Sequence, residues 1–212
     1  MNEIIITDKH RQILVKAELL FAEKGFDGAT VRDIAEAAGV NLAMISYYFG
    51  SKEKLMEALF RERMIAMRMR LESLIQNTSL SPFQKLEVLI DDYISKILEK
   101  QCFYRIMLSE QLVNKNSVVL KLLNELKLSN AKLIETLIKE GQEKKVFRAD
   151  VDIMLLVNTM SGTVMQSLIG KEYYRNFNDL KKMKGDALDA LLAERLRKHV
   201  KHLFKAILEY ES

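Results

Sequence analysis

Tryptophan is absent from this 212-residue chain, and cysteine and proline occur once each. A lone Cys102 excludes an internal disulfide, so a reducing cytoplasm is the expected setting. One proline and 8 glycines are too few for a protein of many strands and tight turns, but long helices tolerate that scarcity. No apolar run approaches the roughly 18 residues of a membrane span. The first ten residues carry an early acid and an apolar stretch too short for a signal peptide. Charge of one sign is also lacking: 33 Lys and Arg oppose 29 Asp and Glu, a net +4. Residues 1–70 hold 11 basic and 10 acidic side chains, residues 71–170 hold 12 of each, and residues 171–212 hold 10 and 7. The small basic excess lies at the C-terminal end, so overall charge is weak support for nucleic-acid binding. There is no internal repeat and no low-complexity tract. What is present is ordinary for a folded chain, 49% hydrophobic and 29% charged, long enough for one large or two small domains.

Periodicity and the few breakers predict nine helices. The first spans about Thr7 to Lys24, with Ile13, Ala17, Leu20 and Phe21 on one face and Gly25 and Gly28 bracketing the turn after it. The second is Val31–Ala38, with Thr30 as N-cap and Asp33 completing a capping box. The third is Asn41–Phe49, capped by Asn41 and closed by Gly50. The fourth is Lys52–Gln76, capped by Ser51. Ser81 followed by Pro82 marks a cap and first-turn proline opening the fifth. The sixth is short, Cys102 to Leu112, and the seventh runs from Val118 to Lys144. Lys144–Ala149 reads as a loop. The eighth, Asp150 to Ile169, has almost no polar face, which calls for burial on two sides, a core on one and a partner subunit on the other. A polar loop, Gly170 to Gly185, precedes the ninth, Asp186 to about Tyr210, whose stripe is Leu188, Leu192, Leu196, Val200, Leu203 and Ile207.

The second and third helices, broken only by Gly39, have the pattern of a DNA-reading helix-turn-helix. Ala35 sits where the two helices come closest. Gly39 supplies the left-handed turn residue. Ile34, Ala38, Val40 and Ile45 close a small core, and the second helix is left free to enter a major groove.

The stretches Ala22-Glu-Lys-Gly-Phe-Asp-Gly-Ala-Thr-Val-Arg-Asp-Ile-Ala-Glu-Ala-Ala-Gly-Val40 and Ile45-Ser-Tyr-Tyr-Phe-Gly-Ser-Lys-Glu-Lys-Leu55 resemble the TetR family of bacterial transcriptional regulators. The resemblance covers about residues 10–60. It implies an all-α, nine-helix, two-domain protein: residues 1–52 form a three-helix DNA-binding domain, and residues 53–212 a helical ligand-binding and dimerisation domain. It also implies a homodimer, which we place through helices near 150–169 and 186–210, and release from the operator when a small-molecule effector binds. The family often carries Tyr where this chain has Ser46, so Tyr47 is assigned here to the DNA backbone.

On that frame, Thr30 and the amides opening the second helix form a phosphate site, and Lys52 meets a phosphate as a point charge. Tyr47 and Tyr48 offer hydroxyls. Asn41, Leu42, Ala43, Met44 and Ser46 face base edges; Leu42, Ala43 and Met44 suit thymine methyls. Met107, Met154, Met160 and Met165 have two readings, as core filler or as an adaptable apolar pocket oriented by Tyr93, Tyr104, Gln111, Asn158 and Gln166. His199 and His202, three apart, have no further metal ligands nearby, and Cys102 lacks a redox partner. No cofactor, metal or membrane partner is expected. The absence of a nucleophile–base pair or phosphate loop speaks against an enzyme. The alternative to a ligand-released repressor is a DNA-bound scaffold that binds another protein.

Overall fold

The computed structural model describes residues 8–113 and 117–209. Among them are ten α-helices: α1 (Asp8–Gly28), α2 (Val31–Ala37), α3 (Leu42–Phe49), α4 (Lys52–Gln76), α5 (Pro82–Glu99), α6 (Gln101–Val113), α7 (Ser117–Glu143), α8 (Ile153–Ile169), α9 (Lys171–Phe177) and α10 (Gly185–Leu208). The predicted ends Thr7 and Tyr210 lie outside the described residues. No single helix among them is long and apolar enough to cross a membrane.

The residues group into two compact units. One combines the chain up to Arg68 with Lys100–Lys127; the other combines Met69–Glu99 with the chain from Leu128 onward. In the first, α1 presents Ile13, Leu14, Ala17 and Phe21 on one buried face, and α6 lies along it. Phe60 of α4 and Phe103 of α6 meet at 5.0 Å between ring centres. An ion pair ties α1 to α4 inside this unit: Arg63 donates through Nε and Nη2 to Glu18 Oε2, at 2.8 and 2.6 Å. Helical bonding in α1 runs past Lys24, the expected end, to Gly28. Gly25 breaks the regular path with φ +73°, a conformation that glycine adopts without the cost of a Cβ.

In the second unit, α5 buries Leu86, Ile90, Ile94 and Ile97 and lies along α10. The stripe on α10 differs from the prediction at its end: Leu188, Leu192, Leu196 and Val200 are buried, and then Phe204 and Leu208 rather than Leu203 and Ile207. Every fourth residue faces inward, so contact follows one ridge of the helix surface to its C-terminus. The rim of this pair is polar. Lys201 Nζ donates to Asp91 at 2.6 Å, and Arg197 donates to Ser95 Oγ at 2.8 Å.

Helix α8 begins at Ile153 rather than Asp150, because Asp152 caps it by accepting from Leu155 N at 3.0 Å. Only Leu156, Met160 and Val164 are buried in it. The second face of this apolar helix, with Met154, Leu155 and Ile169, is exposed in the single chain. Helix α9 lies where a continuous loop is predicted. It is pinned to α10 by polar contacts, Lys171 to Asp189 and Arg195 to Tyr174 Oη, and buries no residue. Without an inward apolar stripe it left no periodic signal. The predicted loop at 144–149 is not solvated throughout: Phe147 is buried, packs edge-on to Phe83 at 4.8 Å, and Arg148 N donates to Leu208 O at 2.9 Å.

Candidate nucleic-acid interface

Local chemistry builds the site one cap at a time. Thr30 Oγ1 accepts from Asp33 N at 3.1 Å, and the Asp33 carboxylate accepts from Thr30 N at 3.2 Å, so two amides at the start of α2 are satisfied reciprocally. The Thr30 amide, then the Thr30 hydroxyl, then Lys24 hold the Asp33 carboxyl below the ordinary carboxylate range. At the other end of α2, Gly39 N reaches Glu36 O and Val40 N reaches Ala35 O, both at 3.0 Å, with Gly39 at φ +60°. This double closure requires a left-handed residue, which is why glycine stands there. Asn41 Oδ1 then accepts from Ala43 N at 3.0 Å and opens α3. Ile34, Ala35, Ala38 and Ile45 are buried as expected, and Val40 is half-buried.

Helix α3 therefore has a fixed inside and outside. Ile45 and Phe49 face the core, while Asn41, Leu42, Ala43, Ser46 and Tyr47 are exposed and Met44 and Tyr48 are half-buried. The two tyrosines differ. Tyr47 is 83% exposed, whereas the Tyr48 ring stands edge-on to buried His10 at 6.0 Å. His10 also packs on Phe49 at 4.6 Å. Burial lowers the His10 imidazole from its ordinary range, against an opposing pull from Glu62.

Lys52 is held in a way the sequence did not signal. Its Nζ donates to Phe26 O at 2.9 Å and to Ala29 O at 3.1 Å and lies 4.5 Å from the Phe26 ring centre. Gln12, missed entirely, donates through Nε2 to Ala38 O at 2.8 Å. Both ties span more than twenty residues of sequence, beyond the reach of any local pattern.

The seven residues assigned to a ligand pocket do not fall together in one unit. Tyr104, Met107 and Gln111 belong to the first; Tyr93, Met154, Asn158 and Met165 belong to the second. Tyr104 is buried, with its hydroxyl 3.7 Å from Met67 Sδ, and burial pushes the phenol up to about 12. Gln111 donates to Met107 O and accepts from Lys127. Met154 and Asn158 are exposed on α8. An open depression of about 490 Å³ in the second unit is lined by Met69, Glu72, Ser73, Gln76 and Asn77, none of them predicted. Among the described residues, no group of three or more His, Cys, Asp or Glu side chains is placed to hold a metal.

A short helix capped at its start, a glycine-closed turn and a second helix with one polar-to-apolar exposed face define a helix-turn-helix DNA-binding protein. Residues 13–59 match the model of bacterial regulatory proteins of the tetR family, and residues 82–205 match the tetracyclin repressor-like C-terminal domain. The chain belongs to the TetR family of transcriptional regulators. It is 30% identical over 137 residues to a Bacillus subtilis protein named "Probable HTH-type transcriptional regulator YttP", covering 64% of this chain and 66% of that one. It is 26% identical over 160 residues to the fatty acid metabolism regulator protein of the same organism, covering 76% and 81%. In fold it is similar to the transcriptional regulator FadR of Bacillus subtilis, solved in complex with stearoyl-CoA. There the TM-score is 0.66 at 24% identity, over 90% of this chain and 96% of that one.

Proposed function

We propose that the protein is a cytoplasmic, dimeric repressor that leaves a palindromic operator when a small, largely apolar ligand binds. The observation that carries this reading is the exposed face of α3, held outward by caps at both ends. Residues 1–52 supply DNA contact, and residues 53–212 supply dimerisation and ligand binding. Thr30 and Tyr47 meet phosphates, while Leu42, Ala43 and Met44 touch thymine methyls, so direct readout is modest. A ligand acts by differential affinity for two dimer states whose reading helices are spaced differently. The kinship with a fatty acid metabolism regulator supports a ligand of apolar character.

Selection of duplexes from a random pool by the full-length protein tests the reading: it yields a palindrome with half-sites in consecutive major grooves. Tyr47→Phe then weakens binding about fivefold per subunit, the loss of one hydrogen bond, with the base preference unchanged. A shifted base preference would instead place Tyr47 on a base edge.

The two-fold axis is supported by α8. Leu155 and Ile169 are exposed fourteen residues apart, with Gly162 midway and open space where a Cβ would stand. Seven-residue spacing with a central glycine suits close approach of a second helix. Gly162→Leu is expected to shift the dimer to monomer in light scattering at micromolar protein. A variant dimer as tight as the parent moves the axis elsewhere. A second reading, a DNA-bound protein scaffold, draws support from exposed Ile65 and Met69 on α4. It predicts that no apolar ligand changes operator affinity.

A further inference from the structure

We propose that Lys52 and Gln12 are positioning residues for DNA reading: they hold the two ends of α2, and through it the phosphate site and the reading helix, without touching the duplex. The inference rests on α3 being the reading helix. At the N-terminal end, Ala29 O is the carbonyl immediately before the Thr30 cap, and Lys52 Nζ binds it together with Phe26 O. Two of the three ammonium donors are thereby directed at main-chain carbonyls inside the protein. Lys52 opens α4, where the helix dipole is unfavourable to a cation. The two carbonyls and the face of the Phe26 ring supply the negative potential that position lacks. At the C-terminal end, Ala38 is the cap residue of α2, and its carbonyl takes the Gln12 amide one residue before the left-handed Gly39.

The consequence is geometric. α2 has seven residues, too short to hold its own direction. Tied by α4 at one end and α1 at the other, it presents Thr30 and delivers the chain into α3 at a set angle. Loss of either tie lets α2 tilt. Specific binding, which needs phosphate and base contacts in one register, then suffers, while loose binding to any duplex does not.

The test uses the full-length protein, its selected operator and an unrelated duplex, each titrated across salt concentrations. Lys52→Met and Gln12→Met are each expected to weaken operator binding about tenfold, the size of a lost charge-assisted or well-oriented hydrogen bond. Affinity for the unrelated duplex and the dependence of log K on log salt should stay as in the parent. A salt slope lower by roughly one per subunit in Lys52→Met would make Lys52 a direct phosphate ligand and overturn its assignment. Operator affinity unchanged in both variants overturns the proposal altogether. A merely structural defect would lower binding to both duplexes in the same proportion, also against it. Gln12 is exposed and loses a single hydrogen bond, so its variant keeps the test open should Lys52→Met fail to fold. If the parent selects no operator, the reading of α3 fails instead, and the two failures are distinguishable.

Discussion

Gly141→Ala is expected to lower the thermal midpoint by about 2–8 °C, although it places a better helix former inside α7. Propensity alone predicts a gain of about 1 kcal/mol. Packing reverses the sign. A Cβ at position 141 would overlap Cδ2, Cε2 and Cγ along one edge of the Phe147 ring. That ring is 1% exposed and stands edge-on to Phe83. Its backbone is fixed as well: Val146 N and Phe147 N both donate to Gly141 O, at 2.9 and 3.1 Å, and Arg148 N is bound to Leu208 O. Overpacking against a rigid neighbour costs about 2–3 kcal/mol. Calorimetry of the single variants and the pair checks the cause. In a Phe147→Leu background the added methyl should be nearly neutral, a coupling that only direct contact produces. A single variant as stable as the parent would show that the ring moves freely.

The second large effect is expected at Lys85. This lysine is 2% exposed, and its Nζ donates to Ile75 O at 2.7 Å and to Glu140 Oε2 at 2.8 Å. It joins the last turn of α4, the first turn of α5 and the end of α7. Lys85→Ala leaves the half-buried Ile75 carbonyl without this donor and removes the charge opposite Glu140. We expect a loss of about 3 kcal/mol, the lower end for breaking a buried pair, because Glu140 is partly exposed and keeps Lys144. Lys85→Met, which retains the apolar stem, should recover part of the loss.

Acid provides an independent check on the same cluster. The hydrogen bond from Lys144, then that from Lys85, lower the Glu140 carboxyl from its ordinary value of 4.5. The unfolded chain therefore takes up this proton at a higher pH than the folded one. The stabilisation is complete above pH 4.5 and is lost as pH falls toward the lowered value in the folded protein. The stability of Lys85→Ala should fall less steeply across that acid window. Equal slopes in urea titrations at several pH values would remove Lys85 from the account of Glu140.

What was legible in the chain was local. The Thr30–Asp33 box, the Asn41 cap, the Ser81–Pro82 start and the left-handed Gly39 are each decided within a few residues, and each stands where the sequence puts it. The inward and outward faces of α3 follow from the same short periodicity. Illegible features depend on distant partners. The carbonyls that bind Lys52 lie 23 and 26 residues away, so a lysine suited to a phosphate could not be told from one occupied by its own backbone. The proposed pocket residues shared a chemical character but fall in different units, and spacing carries no information about that. Helix α9 was invisible for another reason: its aromatic residues Tyr173 and Phe177 point outward, which inverts the pattern by which surface helices are recognised.

The way the backbone is shared between the two units bears on how the molecule can be dissected. Helices α4 and α7 each begin in one unit and end in the other, and α1 rests on α6, which is encoded more than seventy residues after it. A fragment ending near residue 68 would contain every proposed base-contacting side chain yet strip α6 from α1 and Phe103 from Phe60. Grafting this reading head onto another regulator therefore calls for carrying a second, non-adjacent stretch of sequence, and a simple truncation should yield an insoluble peptide.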